Sequence, residues 1–352
     1  MNVDVTNLKE AIAALMRDAG ATDAESQAVA HILAEADMKG VVTHGVYFLP
    51  MLLERIRMGL VEVPTAISVE KDEGAVLHLD GGNGIGQFTA EKAMLGAIEK
   101  AGAYGIGAAL VRNTNHIGLL AHFSLMAAED GMIGIILCNS ASAMAPWGGT
   151  DAFFGTNPFS IAAPGGREYP IVLDMATSQV ARGKIRKAAR LGEMIPETWA
   201  LDSDGVPTVD PGRALEGTLM PIGGPKGYGM ALFIDLICGL LSGSRYSREV
   251  KTFHKPVGPT GVGVTAIAID IERFMPMAQF VPKVEEYIRS IRNARRAPGV
   301  DRIYLPGEIE ALQQDKAMQE GVEIDDSVVS SIDSLLRDAG IDIRLGDAVG
   351  ST

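Results

Sequence analysis

Thr43 and His44 stand together in the short segment Thr43-His44-Gly45-Val46, and a second histidine, His116, follows Asn113-Thr114-Asn115 further along the chain. An imidazole has a reference pKa of about 6.5, so it can deliver or remove a proton near neutral pH, and a neighbouring hydroxyl can orient the ring. The run from Arg112 to Pro158 adds Asn139-Ser140-Ala141-Ser142, Gly148-Gly149 and Gly155-Thr156-Asn157-Pro158. Small residues let a flat ring approach the backbone, and amides and hydroxyls can grip a carboxamide or a diphosphate. A protonatable imidazole above such a floor is what carbonyl chemistry beside a flat cofactor requires. Each piece also has a plain structural reading: a capping or packed His44, turn chemistry at Asn113–Asn115, a structural His122.

Two further segments suit a phosphate-bearing ligand. Asp174-Met175-Ala176-Thr177-Ser178 ends an apolar run, where Asp174 can cap a helix or hold a ribose hydroxyl. Lys226 lies in Gly223-Gly224-Pro225-Lys226-Gly227, at the start of an apolar helix. Glycine backbone, a helix N-terminus and one lysine make a phosphate cradle.

The elements that must position these residues follow from hydrophobic spacing. Three helices fill the first sixty residues. The first is capped by Thr6, the second opens on the capping box Thr22-Asp23-Ala24-Glu25, and the third carries Leu49, Leu52, Leu53 and Ile56. Thr43 and His44 fall at the loop-to-helix junction, where a positive helix end lowers an imidazole pKa. A helix is predicted over 89–103, then a strand over 107–111, a helix over 119–129 and a strand over 132–138, a β-α-β pattern. Later strands fall at 159–163, 171–173 and 262–269, and later helices at 176–191, 226–241, 281–295 and 327–336.

Composition narrows the function classes. The chain has 352 residues, 47% of them apolar, with 41 glycines and 17 prolines, a folded α/β composition with room for two domains. A formal charge of −13 argues against nucleic acid or an anionic membrane as partner. MNVDVTNLKE lacks a signal-peptide pattern, and no run is apolar enough to span a bilayer, so a cytoplasmic protein is expected. Cys138 and Cys238 both lie in apolar stretches and read as buried thiols. Between strand and helix stands Arg112-Asn113-Thr114-Asn115-His116, without the GxGxxG of a Rossmann fold. Walker A and HExxH motifs are absent, and no metal is expected.

Taken in order, THGV, NTNHIG, APWGGTDAFFGTNP, LDMATSQVARGKI, GGPKGYGMAL and LPGEIE resemble the malate/L-lactate dehydrogenase family over nearly the whole chain. The resemblance implies an α/β, sulfolactate dehydrogenase-like, non-Rossmann fold that binds NAD or NADP and has a helical body from both termini. It implies residues 1–110 with 285–352 as the substrate and dimerisation body and 111–284 as the NAD(P)-binding domain. The activity implied is reversible hydride transfer at a CH–OH group of a small 2-hydroxy acid, in a homodimer. By the same resemblance His44 moves the proton, Thr43 stands beside it, His116 lines the site, and Thr156 lies on the substrate side. Ser140, Asp174, Met175, Ala176, Lys226, Pro306, Gly307 and Glu308 match cofactor contacts.

Two departures stand out. Thr43 replaces the family serine and keeps the hydroxyl. Phe48 replaces the arginine that holds the substrate carboxylate, a contact worth about 1.5–3 kcal/mol. Arg55, Arg182 and Lys184 are the alternative cations. Two competing readings follow: a cyclic imine reductase, whose cationic substrate tolerates Phe48, and a nucleotide-binding sensor without turnover.

Overall fold

The computed structural model describes residues 1–346. A short strand, β1 (Asn2–Val3), precedes α1 (Val5–Asp18), α2 (Asp23–Met38) and α3 (Leu49–Arg57). The cap of α1 is Asp4, whose side chain accepts from Asn7 N at 2.9 Å, not Thr6; the helix begins one residue before that threonine. The capping box of α2 forms as expected between Thr22 and Glu25, and Glu25 also accepts from Thr65 N at 2.5 Å. Gly40 (φ +74°) ends that helix. The chain then makes two tight turns of 3-10 form, Val42–His44 and Val46–Phe48, before α3.

The central layer is a seven-stranded sheet. Its strands are β2 (Ser68–Glu73), β3 (Val76–Asp80), β4 (Ile106–Thr114), β5 (Met132–Cys138), β6 (Phe159–Ala163) and β7 (Ile171–Met175), with α4 (Gly86–Tyr104) and α5 (Leu120–Glu129) between them. The next elements are α6 (Arg182–Leu191), β8 (Ala200–Leu201), α7 (Pro211–Glu216), β9 (Thr218–Leu219) and α8 (Pro225–Asp235). The seventh strand of the sheet is β10 (Val262–Asp270), and the order is β2-β3-β4-β10-β5-β6-β7. Within this sheet, among the described residues, β3 and β4 are the one parallel pair. The expected β-α-β over β4, α5 and β5 is present, with β10 hydrogen-bonded antiparallel to both strands from the gap between them. The sheet thus unites strands on both sides of residue 110.

The chain closes with α9 (Met277–Arg292), α10 (Glu308–Glu320), β11 (Val322–Glu323), which pairs with β1, and α11 (Asp326–Asp338). One core joins both termini: Leu8, Ile12, Leu33, Leu49 and Leu53 pack with Ile332 and Leu336. A second lies under the sheet, where Ala90, Ala93, Met94 and Ala97 of α4 meet Ala109, Val111, Val264 and Ala266. The alanine-rich face permits close approach, and at Gly107 a Cβ would stand 2.1 Å from Ala97 O. Two predicted helices are shorter than their spacing suggested. α6 starts at Arg182, not 176, because Thr177 N and Oγ1 are both held by Thr156 O at 2.9 and 2.8 Å. α8 stops at Asp235 and continues as a π turn over Leu236–Leu241.

Candidate active site

The turn bearing Thr43 and His44 is pinned from below by a buried carboxylate. Val46 N donates to Asp37 Oδ2 at 2.7 Å, and a Cβ on Gly45 would lie 1.9 Å from Asp37 Oδ1. Only glycine permits that approach. Thr43 Oγ1 sits 3.0 Å from His44 Nδ1, so the hydroxyl fixes the ring and leaves Nε2 without a partner in the turn. His116 leaves the end of β4 on a support built by Asn115, which is 1% exposed. Asn115 Nδ2 donates to the Asn83 and Gly84 carbonyls, each at 2.9 Å, and its Oδ1 accepts from Thr260 Oγ1 at 2.8 Å. Gly118 N donates to His116 Nδ1 at 3.2 Å, which places the proton of the neutral ring on Nε2.

These rings stack. The His44 and His116 centroids are 5.4 Å apart, Phe48 lies 4.3 Å from His116, and Phe253 lies 4.7 Å from Phe48. Phe48 is therefore sandwiched between an imidazole and a phenyl ring and is only 3% exposed. Burial, with the nearby His254 charge, lowers the His44 pKa to about 4. Burial also pushes His116 well below the usual imidazole range, with His44 and His254 adding to it. The lowering therefore does not come from a helix end, since the turn around His44 is three residues long. Asp37, desolvated in the same region, rises to about 7.

His254 and Phe253 stand in no recognisable sequence motif. They sit on a Pro- and Gly-rich connection whose anchor is Arg55. That side chain, 2% exposed, donates to the carbonyls of Phe253 at 3.4 Å, Lys255 at 3.2 Å and Gly258 at 2.8 Å. Its guanidinium carbon also lies 4.5 Å from the Phe253 ring centroid. Arg55 is thus a strut for the loop, unlike the two other expected cations on α6. The α6 N-terminus faces the Thr43 turn, since a Cβ on Gly183 would stand 3.4 Å from Thr43 Cγ2. Arg182 donates to Leu215 O at 2.5 Å. Lys184 and Arg186 enter no ion pair among the described residues, and the Arg186 charge adds to burial in lowering the His254 pKa. His122 is structural, with Nδ1 2.5 Å from Glu35 Oε2.

The remaining expected residues meet along the neighbouring strand ends. Ser140 N donates to Asn157 Oδ1 at 3.0 Å, and the Ser140 and Thr156 hydroxyls lie 3.4 Å apart. Thr156 O holds Thr177, and a Cβ at Gly227 would meet Thr177 O at 2.8 Å, which brings Lys226 to the same place. Asp174 Oδ2 accepts from Ala121 N at 2.7 Å and ties β7 to the start of α5. Met175 pairs with Phe159 at the sheet edge, and Ala176 follows it into the loop. Pro306 O accepts from Val172 N at 3.0 Å, and Gly307 (φ +83°) packs on Val172. Glu308 is 1% exposed and accepts from Leu305 N at 2.9 Å and from the guanidiniums of Arg292 and Arg302.

The donor set at this floor fits a dinucleotide. Leu119 and Leu120, 5% and 4% exposed at the start of α5, have backbone N–H groups with no acceptor among the described residues. Such amides at a helix N-terminus suit phosphate oxygens, and Lys226, beside Thr177, enters no ion pair among the described residues.

Residues 3–333 match the family model described as malate/L-lactate dehydrogenase. L-sulfolactate dehydrogenase of Methanocaldococcus jannaschii is 37% identical over 338 residues, covering 96% of this chain and 97% of the relative. A solved sulfolactate dehydrogenase from that organism superposes with a TM-score of 0.92 at 37% identity, covering 97% of this chain and 98% of the other. Ureidoglycolate dehydrogenase (NAD(+)) of Escherichia coli is 33% identical, covering 93% and 94%. (2R)-3-sulfolactate dehydrogenase (NADP(+)) of Chromohalobacter salexigens is 32% identical, covering 88% and 90%.

Proposed function

Because the chain belongs to the malate/L-lactate dehydrogenase family, we propose that His44 is the proton-transfer group of a 2-hydroxy acid dehydrogenase. The protein is an NAD(P)-dependent oxidoreductase acting on a small hydroxy acid. When bound, the dinucleotide supplies or takes up the hydride. His44, neutral at pH 7 with its pKa near 4, removes the hydroxyl proton through Nε2 in oxidation. In reduction the same atom returns a proton to the carbonyl oxygen, helped by an acidic substrate whose negative charge raises the imidazole pKa. Thr43 holds the His44 ring, and His116 donates from Nε2 to the substrate oxygen. Thr156 faces the substrate from the floor, and Phe48 fixes the angle of His116.

The observation that carries this reading is the stacked pair of neutral imidazoles, 5.4 Å apart, with Thr43 Oγ1 3.0 Å from His44 Nδ1. The substrate acid group is met from α6, where Arg186 and Lys184 are unpaired, since Phe48 offers no charge and Arg55 holds three carbonyls. Ser140, Asp174, Met175, Ala176, Lys226, Pro306, Gly307 and Glu308 form or brace the dinucleotide floor. The test is reduced-nicotinamide absorbance with a panel of 2-hydroxy and 2-oxo acids, run beside His44→Ala. Turnover that survives in the variant would sink the assignment.

The phenyl rings of Phe48 and Phe253 favour a second reading, cyclic imine reduction, because aromatic faces stabilise a cationic imine. Turnover of an imine in preference to every 2-oxo acid would select it. A sensor would bind cofactor and turn over nothing in the panel. The division into a 1–110 plus 285–352 body and a 111–284 cofactor domain belongs to the same proposal, as does a cytoplasmic homodimer. Exposed Phe233, Leu240 and Leu241 on α8 and its π turn support the dimer, which light scattering would test. No helix among the described residues is long and apolar enough to cross a membrane.

A further inference from the structure

A concentration of positive charge lines a cleft away from the imidazoles. A cleft of about 500 Å³ between the end of α9 and the 294–303 loop is lined by Arg292, Arg295, Arg296 and Arg302, with Asp301 as its one acidic wall residue. This convergence runs against the chain as a whole, which carries 44 acidic and 31 basic residues. Like charges gathered in one cleft repel unless an anion sits among them.

The local acids do not neutralise it. Glu308 is shared between Arg292 and Arg302, and Glu168 takes the other end of Arg292 at 2.9 Å. Arg296 donates to the backbone oxygen of Asp301, and Arg295 has no ion pair or side-chain hydrogen bond among the described residues. With Asp301 counted beside Glu308 and Glu168, the four guanidiniums still outnumber the local carboxylates by one. The buried Nε of Arg292 also has no hydrogen-bond partner among the described residues.

The cleft is physically joined to the dinucleotide floor. Glu308, which braces Arg292 and Arg302, also receives Leu305 N and starts α10 directly behind Pro306 and Gly307. That loop is hydrogen-bonded to Val172, two residues before Asp174 on β7. NAD and NADP differ by a single phosphate on the adenosine ribose, and relatives of each dependence exist. Through Glu308, Arg292 and Arg302 are tied to the segment that carries Pro306 and Gly307, and a phosphate is the group whose charge these guanidiniums match.

We propose that the Arg292–Arg302 cleft binds the 2′-phosphate of NADP and gives this chain a preference for NADP over NAD. The proposal rests on the NAD(P) assignment above and adds to it the residues that choose between the two cofactors. Arg295 and Arg296 make the discriminating contacts, while Arg292 and Arg302 keep the cleft in shape through Glu308. A charge-assisted contact to phosphate corresponds to a factor of roughly ten to a hundred in affinity.

The experiment is calorimetric titration of the full chain with 2′,5′-ADP, ADP and inorganic phosphate, repeated on Arg295→Ala/Arg296→Ala. The expected result is 2′,5′-ADP binding at least about tenfold tighter than ADP, with that margin lost in the variant and ADP affinity unchanged. Equal binding of 2′,5′-ADP and ADP, or a margin that survives the double substitution, overturns the proposal and leaves the NAD(P) assignment standing. Inorganic phosphate bound without preference for 2′,5′-ADP over ADP makes the cleft a general anion site and also overturns it. Binding of no nucleotide at all defeats both readings together.

Discussion

Replacing Phe48 by alanine removes one wall of the ring stack and lets water reach His44 and His116. Burial is the first cause of the low His44 pKa, so wetting the stack moves it from about 4 toward the ordinary imidazole value. The consequence is largest near pH 5. There a group titrating near 4 is about 90% neutral, and one titrating near 6.5 is about 3% neutral. If neutral His44 is the base, kcat/KM for alcohol oxidation at pH 5, relative to its plateau, falls by up to ~30-fold in Phe48→Ala. The assay is the pH profile of kcat/KM, which reports the free enzyme. An acid limb in the variant that overlies that of the parent would refute the argument, as would a parent limb already near pH 6.5. Because a phenylalanine truncation in a core costs about 3–5 kcal/mol, His254→Gln is the companion. It removes only the neighbouring imidazole charge and moves the limb upward by less, with no cavity.

Other consequences are as direct. Asp37→Asn tests the buried carboxyl under the Thr43 turn. With a folded pKa near 7 against an ordinary 3.8, the wild-type carboxyl stabilises the fold fully only below pH 3.8, and that contribution is lost as pH rises to 7. The difference in Tm between the variant and the parent should therefore grow from pH 4 to pH 7 and then level off; a difference constant with pH would contradict it. Arg55→Met leaves the Phe253, Lys255 and Gly258 carbonyls without their donor, so a loss of about 3 kcal/mol is expected in urea unfolding, with a raised KM as the loop loosens. Arg186→Ala should raise KM for an acidic substrate about tenfold while kcat holds, and a fall in kcat at constant KM would move Arg186 out of the binding role.

Periodic elements were legible in the sequence and contact-made features were not. β5 and β6 run over 132–138 and 159–163 as spacing predicts, because β5 alternates buried and partly buried residues along its length. The Thr22–Glu25 capping box is a local reciprocal pair and needs no tertiary context. β2 was invisible because its six residues, Ser68–Glu73, are all exposed on a sheet edge, without an apolar face. The first turn expected of α6 was overridden by Thr156, which takes Thr177 into a loop. In the site, Thr43, His44 and His116 were marked by residue type and motif. Asp37 and His254 were not, because their roles arise from the Gly45 backbone and from a loop strapped down by Arg55, some 200 residues away in sequence.

The place of β10 between β4 and β5 has a consequence for the order in which the molecule assembles. Until Val262–Asp270 has been synthesised, β4 and β5 cannot join, since each pairs with β10 and not with the other. A nascent or nicked chain that stops earlier presents two open strand edges of mostly apolar sequence, a template for pairing with other chains. Such long-range pairing also makes the sheet a slow element to form. Ribosome-bound fragments ending before Val262 are therefore the species most in need of chaperones, and the imidazole pair comes under its final restraint only when Thr260, at the threshold of β10, locks Asn115 in place.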